Sequence, residues 1–244
     1  MLYNIRHWRR VEMSKLNEPK ILLIGSSWQA SVLLDAIKLG GLYTVEGFLD
    51  DTLPAGTSRN GHAVLGGLKD APRICSEHAV SDVVMGIGDN WWRRKLYADL
   101  IKACPGLRFP LIKHPSAIVA ASARVGKGTA ILAGSHVGPN SIIGDFCILN
   151  TRSSIDHDCT LADFSSIAPG VTMGGLVRIG ECSAIGVGAS ISDRISIGRH
   201  SVVGTGAAVV RDIPDLVVAY GNPARVQRSR DEGERYVDMQ QRTL

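Results

Sequence analysis

One histidine in the chain stands between two carboxylates, in the run Asp156–His157–Asp158. A carboxylate hydrogen-bonded to an imidazole orients the ring and raises its basicity, as a general base working near neutral pH requires. The triplet equally suits an ordinary solvated corner, and spacing alone leaves both readings open. It ends a polar block, Asn150–Thr151–Arg152–Ser153–Ser154–Ile155–Asp156–His157–Asp158, that strand formation by itself does not explain.

A second group of polar residues lies in the first half, where aliphatic runs end in Gly25–Ser26–Ser27, in Asp50–Asp51 and in Gly88–Asp89–Asn90. The full dinucleotide fingerprint needs three glycines and GSSWQA has one, which speaks against a nicotinamide dehydrogenase. Asp50 follows Gly25 by 25 residues, near the spacing at which an acid holds a ribose hydroxyl. A nucleotide or nucleotide-sugar site fits these residues. So does the plainer reading of a tight turn and a solvated strand end.

Other reactive side chains carry less. His62, His78, His114, His136 and His200 stand singly, as surface or turn residues without a second ligand at metal spacing, so no catalytic metal is expected. Cys75, Cys104, Cys147, Cys159 and Cys182 form no CxxC pair or disulfide framework. Trp91–Trp92 and Arg93–Arg94 read as helix packing with solvated charge, ahead of a grip on pyrophosphate.

The elements behind these groups follow from periodicity. Lys20–Gly25 (KILLIG), Val45–Asp51 and Val80–Gly88 read as buried strands, with helices over Ala30–Leu39 and from Asp89–Asn90 to Ala103. Strand, glycine turn, helix and strand make a small Rossmann-like parallel sheet, which binds ligands beyond its carboxyl ends. From Val119 to Val209 every sixth residue is aliphatic, sixteen times without a slip. The position two before is usually small, as at Ser135, Ser141, Cys147, Ser153 and Cys159. One aliphatic and one small inward residue per hexad describe a triangular parallel β-solenoid, three hexads to the coil. Cys147 and Cys159 then fill its core and are not nucleophiles.

Composition narrows the class. The chain has 244 residues, 45% of them hydrophobic and 20% charged, enough for two packed domains. No apolar run is long enough for a transmembrane helix, and no hydrophobic signal core precedes Lys20, so the cytoplasm is the expected compartment. The net charge of +4 falls outside Ile21–Pro223, which is neutral, so a nucleic-acid surface is not expected. Met13 precedes the first strand, which makes Met1–Glu12 a candidate mis-assigned start.

The ordered set ILLIGSS (21–27), FLDD (48–51), GIGDNWWRRKL (86–96), LIKHPSAIV (111–119), the solenoid with NTRSSIDHD, and YGNPAR (220–225) resembles the sialic-acid O-acetyltransferase family of sugar acyltransferases. Within it the chain is most similar to bacterial N-acetyltransferases of nucleotide-linked 4-amino-4,6-dideoxyhexoses. The resemblance implies a Rossmann-like α/β domain followed by a left-handed parallel β-helix of hexapeptide repeats. The divisions are an extension at 1–18, a nucleotide-sugar domain at 19–113, the β-helix at 114–225 and a tail at 226–244.

It further implies that His157 is the general base, supported by Asp158 where the family usually has glutamate. The nucleotide sugar would meet Gly25, Ser26, Ser27, Asp50, Asp51, Gly88, Asn90 and Asn150. Acetyl-CoA, the co-substrate, would meet Ser166, Gly175, Gly188, Gly206, Asn222 and Pro223, with the Gly175 N–H facing the thioester carbonyl as an oxyanion donor. The family is trimeric, with active sites between adjacent solenoids. Ser27–Trp28–Gln29 replaces the family's glycine–histidine–glycine, and Ser166 stands where many members carry a second histidine. The implied reaction is acetyl-CoA-dependent N-acetylation in surface-glycan synthesis. The alternatives are O-acetylation of a sugar hydroxyl, with the same base, and a solenoid that binds without catalysis.

Overall fold

The computed structural model describes residues 18–236. Met1–Glu12 and the candidate start at Met13 lie outside the described residues. In chain order the first domain comprises β1 (Lys20–Ile24), α1 (Trp28–Gly40), β2 (Thr44–Leu49), β3 (Ser58–Arg59), β4 (His62–Gly66), α2 (Ala71–Glu77), β5 (Asp82–Met85) and α3 (Asn90–Ala103). The sheet order is β3-β4-β2-β1-β5, parallel except for β3. β1 and β5 are the aliphatic runs expected, and Ile21–Ile24 have no exposed surface, as a central parallel strand requires. β2 stops at Leu49, which puts Asp50 and Asp51 just past the carboxyl edge. α3 starts at Asn90 because the Asp89 carboxylate accepts the Trp92 N–H and caps the first turn.

The second domain is the expected β-helix. Two-residue strands recur every six residues from β6 (Ile112–Lys113) to β22 (Ala208–Val209). Those from β6 to the strand at Ser190–Ile191 each pair in parallel with the strand eighteen residues on, as His136–Val137 does with Ser154–Ile155, so three hexads close one left-handed coil. β6 already lies in this phase and pairs with Ala130–Ile131, so the solenoid begins two residues before position 114. The aliphatic ladder stacks along the axis as one buried cluster.

Corners close by two recurring devices. Buried hydroxyls donate to carbonyls of the next coil, Ser141 to Asp156 at 2.8 Å and Ser183 to Gly198 at 2.5 Å. Cys147 and Cys159 occupy the same slots, with Sγ 3.3 Å from the Ala162 oxygen and 3.2 Å from the Gly174 oxygen. Burial pushes the Cys147 thiol up to about 11, which denies it thiolate character and supports the packing role. Each corner also turns through one left-handed residue, every six positions from Gly128 to Gly206. Several carry side chains, Phe146, Asp158, Phe164 and Leu176 among them, at about 1–2 kcal/mol each. Their N–H groups donate to the preceding coil, Phe164 to Asp145 and Leu176 to His157, so each strained residue closes a hydrogen bond.

At the C-terminal end β23 (Val217–Gly221) and β24 (Ala224–Ser229) form an antiparallel hairpin on the solenoid sheet. The expected boundary at 226 therefore falls inside a strand. Beyond it Arg230 is buried and donates to the His200 carbonyl, and Tyr236 folds back to the first domain. His200, expected at a surface turn, is a corner residue but buried.

The two domains share a core in which Phe146, Phe164 and Cys182, on one solenoid corner, pack with Leu22, Ile24, Leu49 and Leu100. Arg93 bolts this junction. All five guanidinium donors are used, on the carbonyls of Phe146, Phe164, Ile87 and Gly88 and on Asn90 Oδ1. It is 1% exposed, so the reading of Arg93 as solvated charge is corrected. Arg94 does lie at the surface, paired with Glu181 and Glu232, and the Trp91 and Trp92 rings stack 5.8 Å apart.

Candidate active site

His157 occupies the solenoid corner shared by the left-handed residues Asn140, Asp158, Leu176 and Arg194. At equivalent corner positions an aspartate from the next coil caps the backbone N–H: Asp163 serves Asp145, and Asp193 serves Gly175. Position 175 is where the cap for His157 would come from. Glycine there supplies none, and Asp156 Oδ1 takes the His157 N–H at 2.8 Å instead. What glycine supplies is room. A Cβ on Gly175 would lie 2.6 Å from His157 Cε1 and 2.7 Å from Nε2, so the imidazole rests on the Gly175 backbone.

The ring is fixed from its other side. His157 Nδ1 lies 2.8 Å from Asp158 Oδ2, and Asn140 Nδ2 donates to Asp158 Oδ1 at 3.2 Å. With the proton on Nδ1, Nε2 keeps its lone pair and has no partner among the described residues. The hydrogen bond that Nδ1–H donates to Asp158 raises the His157 pKa, desolvation opposes it, and the charges of Asp156, Asp158 and Asp193 add to the rise. The His157 and Asn140 bonds lower that of Asp158. The shorter acid thus does reach the imidazole. Asn140 and Asp193 were not singled out from the sequence, because both act across the eighteen-residue coil spacing.

Gly175 corrects one expectation. Its N–H donates to Asp193 Oδ1 at 3.0 Å, so it is not presented to a thioester oxygen.

The second group gathers at the carboxyl edge of the first domain's sheet. Gly25 (φ 82°) makes the turn after β1, and a Cβ there would strike Ile87. Ser27 Oγ donates to the Gly86 carbonyl, tying the β1 turn to the β5 turn. Asp50 accepts from Ser26 N and Oγ on one oxygen and from Thr52 N and Oγ1 on the other, at 2.6–2.8 Å. Burial alone would raise its pKa, and these four bonds more than offset that and lower it. Its acceptor capacity is filled, so Asp50 shapes the loop and is not left to hold a ribose. Among the described residues Asp51 accepts only from Leu68 N, at 2.8 Å, and it is exposed. Asn90 is wholly buried, its amide donating to the Cys182 and Ser183 carbonyls and its oxygen accepting from Arg93. That side chain is committed to the domain junction and does not face a ligand. Gly88 borders the edge, its carbonyl accepting from Arg93 and from the Tyr236 hydroxyl.

The remaining positions spread over the solenoid. Gly188 and Gly206 share one corner column with φ of 65° and 68°, and open space lies where their Cβ atoms would be. Register beyond Val203↔Ala219 carries the column to the Asn222–Pro223 turn. Asn150 starts that same corner two coils earlier, and Ser166 lies on the adjoining face with Oγ 3.4 Å from the Tyr236 hydroxyl. Within one chain the structure thus joins His157, Asp158 and Gly175, and separately Gly25–Ser27, Asp51 and Gly88. The two groups sit at different corners of the triangle. No group of three or more His, Cys, Asp or Glu among the described residues is placed to hold a metal ion.

Residues 20–100 match the family model described as the PglD N-terminal domain. A 70-residue stretch is 34% identical to GDP-perosamine N-acetyltransferase of Escherichia coli O157:H7, covering 29% of this chain and 32% of that protein. The chain thus spans, in that alignment, about a third of the curated relative's length. Of solved structures, a histidine-to-asparagine variant of perosamine N-acetyltransferase from Caulobacter crescentus, in complex with CoA and GDP-perosamine, is 33% identical with a TM-score of 0.82, covering 88% of this chain and 100% of that one. The acetyltransferase domain of PglB from Neisseria gonorrhoeae, in complex with acetyl coenzyme A, is 33% identical with a TM-score of 0.79, covering 86% and 100%.

Proposed function

The chain belongs to the nucleotide-linked amino-sugar N-acetyltransferases, and from that membership we propose that it moves the acetyl group of acetyl-CoA to the 4-amine of a nucleotide-linked 4-amino-4,6-dideoxy sugar, with His157 as general base. The amine nitrogen attacks the thioester carbonyl directly. His157 Nε2 takes the proton released as the tetrahedral intermediate forms, and the imidazolium returns it to the departing coenzyme A sulfur. Asp158 holds the Nδ1–H tautomer and stabilises the imidazolium. The buried, high-pKa Cys147 supports direct transfer over an acyl-enzyme.

The observation that carries this reading is the 2.8 Å Nδ1–Oδ2 contact, with the ring seated on Gly175 and Nε2 unpartnered among the described residues. The sugar nucleotide would lie at the sheet edge by Gly25–Ser27, Asp51 and Gly88, and reach Asn150. Coenzyme A would follow the open column of Gly188, Gly206 and Asn222–Pro223, with Ser166 nearby. Because the sheet edge and His157 sit at different corners of one chain, a homotrimer, which puts one chain's edge against another's His157, suits the geometry. The proposed setting is cytoplasmic, supplying surface-glycan synthesis. No helix among the described residues is long and apolar enough to cross a membrane.

The test is turnover of a panel of nucleotide 4-amino sugars with acetyl-CoA, following thiol release and product mass. Acetylated amine with the wild-type protein, and loss with His157→Ala, is the expected result. Acetylation at a sugar hydroxyl would assign the chain to O-transfer. No turnover on any acceptor would favour a binding solenoid.

A further inference from the structure

Asp158 orients the imidazole, and something must orient Asp158. The His157 side chain is 52% exposed and that of Asp158 42%, and a pair this open holds weakly against the rotamer freedom of its own partners. The bracing comes from the preceding coil, at Gly138–Pro139–Asn140. A Cβ on Gly138 would lie 2.7 Å from the Asp156 carbonyl carbon and 2.8 Å from the His157 backbone nitrogen, so the two coils lie hard against each other here. The Pro139 carbonyl accepts the Asp158 N–H at 2.9 Å, which fixes the backbone under the carboxylate. Asn140 Nδ2 donates to Asp158 Oδ1 at 3.2 Å, which leaves Oδ2 to face His157 Nδ1. An ionised carboxylate only accepts, so the amide nitrogen has to be the atom turned toward it. Asn140 is anchored in turn, its N–H donating to Ser122 Oγ one coil further back at 3.0 Å.

Which ring nitrogen of a neutral histidine carries the proton is set by the hydrogen bond that the other ring atom makes. If Asp158 swings into water, the proton is free to sit on Nε2, the atom that has to receive one from the acceptor amine. The hold on Asp158 thus decides what fraction of the rings can act as base. Resting on the reading of His157 as general base, we propose that Asn140 is a positioning residue, which acts through Asp158 to keep the Nδ1–H tautomer.

Position 140 is left-handed, with φ 58°. Glycine and aspartate also enter that region, so Asn140→Gly removes the amide without straining the corner, and Asn140→Asp keeps its shape but turns a carboxylate toward Asp158. Nitrogen NMR of the full-length protein, at a pH where the ring is neutral, reads the tautomer, with the His157 signals assigned by their absence in His157→Ala. Both variants should move His157 toward Nε2–H and lower kcat. Asn140→Gly should lower it by about 2–10-fold, the range of one net hydrogen bond, with KM for acetyl-CoA unchanged. In an Asp158→Ala background Asn140→Gly should have no further effect, because nothing is left to hold. An equal fall in kcat in both backgrounds would make Asn140 merely structural and overturn the proposal. An unchanged tautomer in Asn140→Gly, or wild-type kcat in Asn140→Asp, overturns it as well. If the tautomer shifts while wild-type turnover does not depend on His157, the general-base reading fails and the hold of Asn140 on the ring stands.

Discussion

At His157 the chemistry depends on which ring nitrogen is left free. Asp158 holds Nδ1, so removing the ring and removing its support have different signatures. His157→Ala should lower kcat by about 10²–10⁴, the usual contribution of a positioned base, with melting temperature nearly unchanged because the ring is outside the aliphatic ladder. Asp158→Asn should cost less. A base works unprotonated, so activity rises with pH through the His157 pKa. Asp158 raises that pKa, so Asp158→Asn should move the acidic limb of the kcat profile to lower pH. An unmoved limb would detach Asp158 from the base. Gly175→Ala is the third variant: its methyl would stand 2.6 Å from the ring, so the imidazole must turn away. We expect kcat to fall about tenfold or more while acetyl-CoA binding, measured by calorimetry, is kept. The adjacency of His157 and Asp158 was readable in sequence. The seat under the ring was not, because positions 157 and 175 become neighbours only through the coil register. The same register hid Asp193, whose bond to the Gly175 N–H removes the oxyanion donor expected there.

The hexad ladder was legible because one aliphatic residue per six is a local period that any slip would break. Lost to the sequence were elements defined by distant partners. β24 reads ARVQRS, and five of its six residues are exposed, so no inward alternation marks it as a strand; it exists by pairing with β23. Asn90 and Arg93 look like exposed residues at the start of a helix, yet their partners are carbonyls 53 to 93 positions away. Arg93→Ala therefore tests the junction. It strands the carbonyls of Ile87, Phe146 and Phe164 and the Asn90 oxygen at the junction, while the Gly88 carbonyl keeps the Tyr236 hydroxyl, and leaving even one such buried group unpaired costs about 1–3 kcal/mol. We expect a loss of about 3 kcal/mol or more, a drop of about 6–12 °C in Tm at this size. A change under 2 °C by calorimetry, roughly the smallest that a lost hydrogen bond gives, would mean the bolt is ornamental.

For the molecule as a whole, the separation of its two residue groups is the feature to explain. The first domain packs over the Phe146–Phe164–Cys182 corner, and His157 stands on the Asn140–Asp158–Leu176 corner, so one chain does not bring an acceptor at its own sheet edge to its own base. The proposed closed ring of three chains would do so with one repeated contact, since a heterologous interface joins two different surfaces and closes by rotation. Light scattering should give three times the chain mass. Trimer mass alone does not show that sites are shared, and complementation does. His157→Ala keeps its sheet edge, while Asp51→Arg keeps its base and places a bulky cation at the edge proposed for the nucleotide. Each variant alone should be nearly inactive as a homotrimer. Unfolded together in equal amounts and refolded, one site in four draws its edge from an Asp51 chain and its base from a His157 chain, so activity should return to about a quarter of wild type. Sites built within single chains have no such combination. Mixed trimers that stay inactive would therefore return both halves of the site to one chain, and would require a domain movement large enough to bring the sheet edge round the solenoid to His157.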